Sequence, residues 1–310
     1  MPAPSTKLSA AGFLITLAGS ILFSTKAVIV KKAFADIKID ALSLLTLRMV
    51  FSLPFYVVAA WLAGRNENKA SLTNKEWVQV LLVGACGYYL SSFLDFEGLR
   101  YISAGLERLI LFLYPTFVVF INLILFKQKI NKLQWVALCL TYTGIAIAYA
   151  GELKLDHSQA GFYLGSGLVF LCAITFAIYT AGSGRLIPKL GATRFTAYSM
   201  LSATAGIFIH FLIQNNGKLE SLSGPGYWGF GIAIAIFATI LPSFLISNGM
   251  KRIGSNNVAI ISSIGPVSTI LQAHFILGEP IIMAQIVGTV LVIIGVLLIG
   301  WRSQSTTAKN

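Results

Sequence analysis

The sequence is poor in charge and in recognisable chemistry. Only 11% of its 310 residues are Asp, Glu, Lys or Arg, against about 25% in an average soluble domain, which excludes an ordinary water-soluble fold. Its three cysteines, Cys86, Cys139 and Cys172, fall in three different apolar runs, with no Cys-x-x-Cys spacing and no histidine pair nearby. Neither a disulfide framework nor a metal site is expected from that pattern. The chain has no His-Glu-x-x-His, no Gly-x-Ser-x-Gly and no phosphate-cradling glycine loop followed by lysine, so nothing points to an enzyme or to a bound cofactor. The net charge of +12 is scattered through short connections rather than gathered on one surface, which argues against nucleic acid as a partner.

What the chain does have is apolar length. Hydrophobic residues make up 56% of it, in runs of 18 residues or more that are apolar on every face, each able to cross a hydrocarbon core of about 30 Å as a helix. Strands of a membrane barrel would alternate instead. Windows of about 19 residues place helices near 8–30, 41–63, 77–96, 104–126, 133–150, 161–181, 195–213, 227–249, 256–277 and 281–301. The expected fold is all-α and integral to the lipid bilayer, with ten transmembrane helices. The N-terminal run is too long for a signal sequence and shows no small-residue cleavage site before Lys26, so it reads as a retained first helix. With the N-terminus in the cytoplasm, 14 lysines and arginines fall on the cytoplasmic side (Lys7, Arg65, Lys69, Lys75, Lys127, Lys129, Lys132, Arg185, Lys189, Arg194, Lys251, Arg252, Arg302, Lys309) and 6 on the other. The positive-inside rule then puts both termini in the cytoplasm of a cell membrane, plasma or inner.

Sliding the chain against itself by 151 residues gives 14 identities over 68 positions, among them Trp77 with Trp228, Ser92-Phe93-Leu94 with Ser243-Phe244-Leu245, Pro115 with Pro266 and Gly144 with Gly295. Two related halves are expected, 1–151 and 152–310. Five helices in each make the second half enter the membrane in the opposite sense, the inverted-repeat plan of many secondary transporters. Pro115 and Pro266 are the helix breaks at matching positions. A proline cannot donate to the carbonyl four residues before it, at Leu111 or Ser262, and this frees a backbone acceptor beside any central cavity. Packing alone is the competing explanation.

The run Gly98-Leu99-Arg100-Tyr101-Ile102-Ser103-Ala104-Gly105 leading to Tyr114-Pro115 and Gly144, with its counterpart Gly249 to Ser255, Gly265-Pro266, Gly278-Glu279-Pro280 and Gly295, resembles the drug/metabolite transporter superfamily in its ten-helix EamA-type branch. The resemblance covers essentially the whole chain. It implies export of amino acids, other metabolites or drugs through a cavity lined by the first, third, fourth, sixth, eighth and ninth helices, with the fifth and tenth at the periphery. A passive channel and a membrane receptor or scaffold are the alternatives.

Ionisable residues inside a bilayer cost about 2.5 to 3.5 kcal/mol each at the centre on insertion scales, so they face a cavity or a partner. Here Lys26, Arg48, Asp95, Glu97, Glu107 and Arg108 all lie in the first half. They read either as a structural ionic cluster or as a site for substrate or a coupling proton. Glu107 shares a helix face with Leu111 and Tyr114, just before Pro115, and is the first candidate, with Lys26 and Arg48 as its cationic neighbours and Tyr114 and Glu97 as further candidates. Gly288 and Gly295 share a face of the tenth helix, which fits either close helix packing or a homodimer seam.

Overall fold

The computed structural model describes residues 10–64, 73–126, 132–154, 159–262 and 264–307. Among these the regular elements are helical: α1 (Ala10–Ile37), α2 (Ala41–Gly64), α3 (Asn74–Gly84), α4 (Ser91–Gly98), α5 (Ala104–Leu111), α6 (Tyr114–Phe126), α7 (Lys132–Leu153), α8 (Gln159–Leu190), α9 (Ala192–Gln214), α10 (Tyr227–Ala235), α11 (Leu241–Ser262), α12 (Gly265–Gln272) and α13 (Met283–Thr307). Lys7, Arg65, Lys69, Lys127, Lys129 and Lys309, all used in the charge count, lie outside the described residues.

Local chemistry sets several boundaries. Lys38 takes a positive φ of 49° and ends α1, and Asp40 Oδ1 accepts from the Ser43 amide at 2.8 Å to start α2. Thr73 and Glu76 form a capping box at α3, and Ser103 accepts from the Leu106 amide at 3.0 Å to open α5. Each satisfies an amide that the first turn leaves without a partner.

Among the described residues, eight helical stretches are long and apolar enough to span a membrane, and Met283–Leu298 is a shorter apolar helix. Large apolar side chains point outward, including Trp61, Leu82, Ile213 and Phe275. In water such a surface would aggregate; in lipid it is the normal exterior. The chain is an all-α membrane protein.

The helix pattern departs from the expected ten in three places: 104–126 is divided into α5 and α6, α8 runs past 181 to Leu190, and the expected eighth and ninth helices meet elsewhere. Instead of breaking between 249 and 256, α11 runs unbroken to Ser262, and the chain resumes as α12. The cause is legible at the matching position of the first half. Ser103 caps a new helix there, whereas the residue 151 positions on is Gly254, which has no side-chain acceptor for such a cap.

Two segments tighten the resemblance between distant parts of the chain. Ala85–Leu90 and Ile236–Ile240 are both π-helical, and their starts lie 151 residues apart. α7 and α13 lie against each other: a Cβ on Gly144 would stand 2.6 Å from the Gly288 carbonyl oxygen, and one on Gly295 would stand 2.7 Å from the Ala137 carbonyl oxygen. The glycine face of the tenth helix is therefore occupied within the chain, and it gives no support to a homodimer seam.

Candidate functional site

Five buried charges meet where α1, α2, α4 and α5 converge. α1 presents Lys26, α2 presents Arg48, α4 presents Asp95, and α5 presents Glu107 and Arg108; all five are buried. Lys26 Nζ lies 2.6 Å from Asp95 Oδ2 and 3.7 Å from Glu107 Oε1. Glu107 is 0% exposed, and no described hydroxyl or backbone amide donates to either carboxylate. Two acids thus share one ammonium in a low-dielectric interior, and among the described residues Lys26 is the cation within ion-pair distance of either, with the Arg108 guanidinium acting on both from farther off.

Beside this triad is a cavity of about 220 Å³. Its wall is built by Phe23 and Lys26 of α1, Arg48 of α2, Tyr88 of the first π-helical segment, Ser91, Ser92 and Asp95 of α4, Arg108 and Leu111 of α5, Phe112, Tyr114 of α6, Cys172 and Phe176 of α8, and Ile246 and Ser262 of α11. The first, third, fourth, sixth and eighth helices of the expected lining are present; of the expected ninth, 256–277, Ser262 alone lines the cavity and belongs to α11, and the fifth and tenth, α7 and α13, pack on each other outside it. Arg48 adds the second helix.

Both helix breaks touch the cavity. Leu111, Phe112 and Tyr114 belong to the interruption before Pro115, and Ser262 ends the helix before Gly265-Pro266. The second break is tied to α1 by hydroxyls: Ser20 Oγ and Ser262 Oγ lie 2.9 Å apart, Ser24 donates to the Gly265 carbonyl at 3.2 Å, and Thr269 donates to the Ser24 carbonyl at 3.3 Å.

Of the sequence candidates, the structure brings Lys26 and Glu107 together and puts Tyr114 on the cavity wall. Three expectations need correction. Glu107 is fully buried behind the cavity wall, and it is Arg108 that lines the cavity with Leu111 and Tyr114. Arg48 does not pair with Glu107; its Nε donates to Thr239 Oγ1 at 2.9 Å and its Nη1 to Ser92 Oγ at 3.3 Å. Glu97 is not in the site: it pairs with Arg100 at 3.0 Å, one turn along and partly exposed. The reason is angular, since two residues of helix turn the side chain about 200° away from Asp95. Sequence reasoning missed Thr239, whose hydroxyl also bonds the Ile234 carbonyl five residues back at 3.1 Å. Thr239 lies within the second π-helical segment, Ile236–Ile240, a local widening frequent at functional sites. The repeat register contained the only available signal, Tyr88 aligning with Thr239.

A second polar cluster closes one end of the bundle. Lys31 Nζ lies 3.1 Å from Glu279 Oε1 and donates to the Ile102 carbonyl at 2.7 Å, while Glu279 accepts from the Ala104 amide. Glu152 joins it by accepting from Ser103 at 2.7 Å and from Gln285. Glu76 of the first turn of α3 and Lys189 of the last turn of α8 pair at 2.6 Å.

A multi-pass helical bundle with a charged, partly polar cavity at its centre is the architecture of a membrane transporter. The EamA-like transporter family profile matches residues 10–150 and 163–301, and the chain belongs to that family. It is a transporter and not an enzyme. A Bacillus subtilis (strain 168) protein named uncharacterized transporter YcbK is 26% identical over 283 residues, covering 90% of this chain and 89% of its own. The Salmonella typhimurium uncharacterized inner membrane transporter YicL is 22% identical over 298 residues, covering 94% and 96%. A solved crystal structure of a protein at 16% identity superposes with a TM-score of 0.62 over 94% of this chain and 96% of that one, a likeness of fold.

Proposed function

We propose that the chain is a secondary transporter of small metabolites such as amino acids or drugs, working by alternating access through the central cavity between two inverted five-helix repeats, 1–151 and 152–310. It exports them across the plasma or inner membrane, with both termini in the cytoplasm. The observation that carries this reading is the position of the two helix breaks: each proline-marked interruption reaches the wall of the same cavity. Discontinuous helices at matching places in two halves are where such transporters bind and rock. The π-helical segments in matching register support the repeat, and the positive-inside count supports the orientation.

Lys26, Asp95 and Glu107 supply a coupling device. Asp95 and Glu107 are two buried carboxyl groups side by side with one ammonium within reach, so one proton held between them is released when the halves move apart. Glu107 is the proton-binding residue, and Lys26 holds its alternatives open by pairing with Asp95. The test is flux into proteoliposomes containing purified protein, with and without an imposed pH gradient. Wild type should show saturable uptake accelerated by the gradient; Glu107→Gln should fold, lose the gradient response, and fall at least tenfold in rate. The double variant Lys26→Met with Glu107→Gln should not recover. Recovery in the double variant would make Glu107 half of a structural pair, and flux without saturation would make the protein a channel.

A further inference from the structure

Two more buried cations stand on the cavity wall, and among the described residues neither has a carboxylate within ion-pair distance. Arg108 is 5% exposed. Among the described residues its guanidinium makes no ion pair within 4.0 Å, and its Nε is buried with no hydrogen-bond acceptor. Aromatic faces hold it instead, with its Cζ 5.1 Å from the Phe23 ring centroid and 5.7 Å from that of Phe112. Arg48, 6% exposed, donates to the neutral hydroxyls of Thr239 and Ser92, has its Cζ 5.8 Å from the Phe96 ring centroid, and among the described residues makes no ion pair. Both arginines line the cavity.

The charges around the cavity do not cancel. Lys26, Arg48 and Arg108 give three positive charges, Asp95 and Glu107 two negative ones, and Lys26 is already engaged by both acids. Any proton taken up by the triad enlarges the positive surplus. Asp95 and Glu107 act on Arg108, and Asp95 on Arg48, only from beyond ion-pair distance; a desolvated guanidinium without an anion in contact is costly, and its planar fork of donors matches the paired oxygens of a carboxylate or phosphate. Around that fork the wall is apolar and aromatic, from Phe23, Leu111, Phe112, Tyr114 and Phe176. Space for the fork is provided across the cavity, where a Cβ on Gly265 would stand 3.1 Å from Arg108 Nη2.

We infer that the transported substrate is a small organic anion whose carboxylate or phosphate group binds Arg108, with Arg48 as the second donor, and whose carbon body lies against the aromatic wall. This rests on the cavity being the transport site. At about 220 Å³ the cavity falls below the roughly 300 Å³ at the low end of drug-sized sites, so the anion is metabolite-sized. A purely structural Arg108, clamped between Phe23 and Phe112, would give no discrimination between an anion and its neutral isostere.

The experiment uses the purified full-length protein and four probes of one shape: benzoate, phenyl phosphate, benzamide and benzylamine. Thermal unfolding followed against probe concentration should show a rise of several degrees with benzoate or phenyl phosphate, and which of the two acts distinguishes carboxylate from phosphate. Benzamide and benzylamine should leave the midpoint unchanged. Arg108→Gln should raise the half-saturating concentration of the effective anion at least tenfold; Arg108→Lys, which keeps the charge and loses the fork, should fall between. Equal stabilisation by benzamide, stabilisation by benzylamine, no response to either anion, or unchanged half-saturation in Arg108→Gln each overturns the inference. If Arg108→Gln does not fold, the wild-type probe series and Arg108→Lys still decide. Counterflow in proteoliposomes separates this from the transport reading: anion binding without counterflow of that anion removes transport from this cavity, whereas saturable counterflow of benzylamine keeps transport and removes the anion.

Discussion

The two helix breaks share a bend and differ in everything else. Before Pro115 the chain reads Glu107, Arg108, Leu111, Tyr114; 151 residues on, it reads Val258, Ala259, Ser262, Gly265. The first break carries an acid and a base into the protein interior, and it is preceded by a freshly capped helix. The second is neutral, follows an uninterrupted helix, and is stitched to α1 by serine and threonine hydroxyls. Backbone geometry and chemistry are therefore separable here. Both breaks supply an interruption at the cavity, while charge recognition comes from one side and the other supplies room and neutral hydrogen bonds. Proline explains the bend, but it does not carry the chemistry with it.

The largest effect should come from removing the cation that holds the first break's acid. Lys26→Met removes the cation that lies within ion-pair distance of both Asp95 and Glu107, at a cost of about 3 to 5 kcal/mol. A sharply lower unfolding midpoint in detergent is expected, together with poor yield. Adding Asp95→Asn and Glu107→Gln should restore most of the midpoint. No comparable loss should follow Ser20→Ala with Ser262→Ala at the neutral break, where a partly buried hydroxyl pair contributes about 0.5 to 1.5 kcal/mol. Equal losses at the two breaks would erase the contrast between them.

A smaller effect is expected from the prolines themselves. Pro115→Ala and Pro266→Ala restore a backbone donor without removing any side-chain contact in the triad, so both variants should express normally and transport more slowly. Measured turnover should fall further for Pro115→Ala, because closing that bend shifts Arg108 and Tyr114 on the cavity wall. Unchanged turnover in both would reduce the breaks to packing.

Much of this architecture was readable from composition and spacing, for physical reasons. A bilayer-crossing helix must be apolar over its whole length, so windows along the chain find α1, α2, α7 and α9 within a few residues at most termini. A shared register of 151 residues finds the prolines because identical residues survive it. What stayed hidden is azimuth and backbone widening. No linear pattern says that Lys26 reaches Asp95 more closely than Glu107, or that Arg48 crosses to Thr239. The π-helical segments have no signature in apolar periodicity either. The Gly288 and Gly295 face was visible, but its partner α7 was not, because packing against another helix of the chain and packing against a second copy demand the same small residues.

The smallest effect sharpens the contrast from outside it. Glu97 is an acid on the same helix as Asp95, two residues away, and sequence alone does not separate them. Its side chain is 21% exposed and pairs with Arg100, itself 45% exposed, at 3.0 Å. Exposed pairs of this kind contribute about 0 to 1 kcal/mol, and this one reaches neither Lys26 nor the cavity. Glu97→Gln should therefore leave the unfolding midpoint within a degree or two, with the pH-gradient response of flux unchanged, whereas Asp95→Asn should alter both. The comparison holds residue chemistry and helix constant and varies only the direction of the side chain. A loss of gradient response in Glu97→Gln equal to that in Asp95→Asn would show that acidity near this end of the helix is enough, and the buried geometry around Lys26 would no longer be needed to explain coupling.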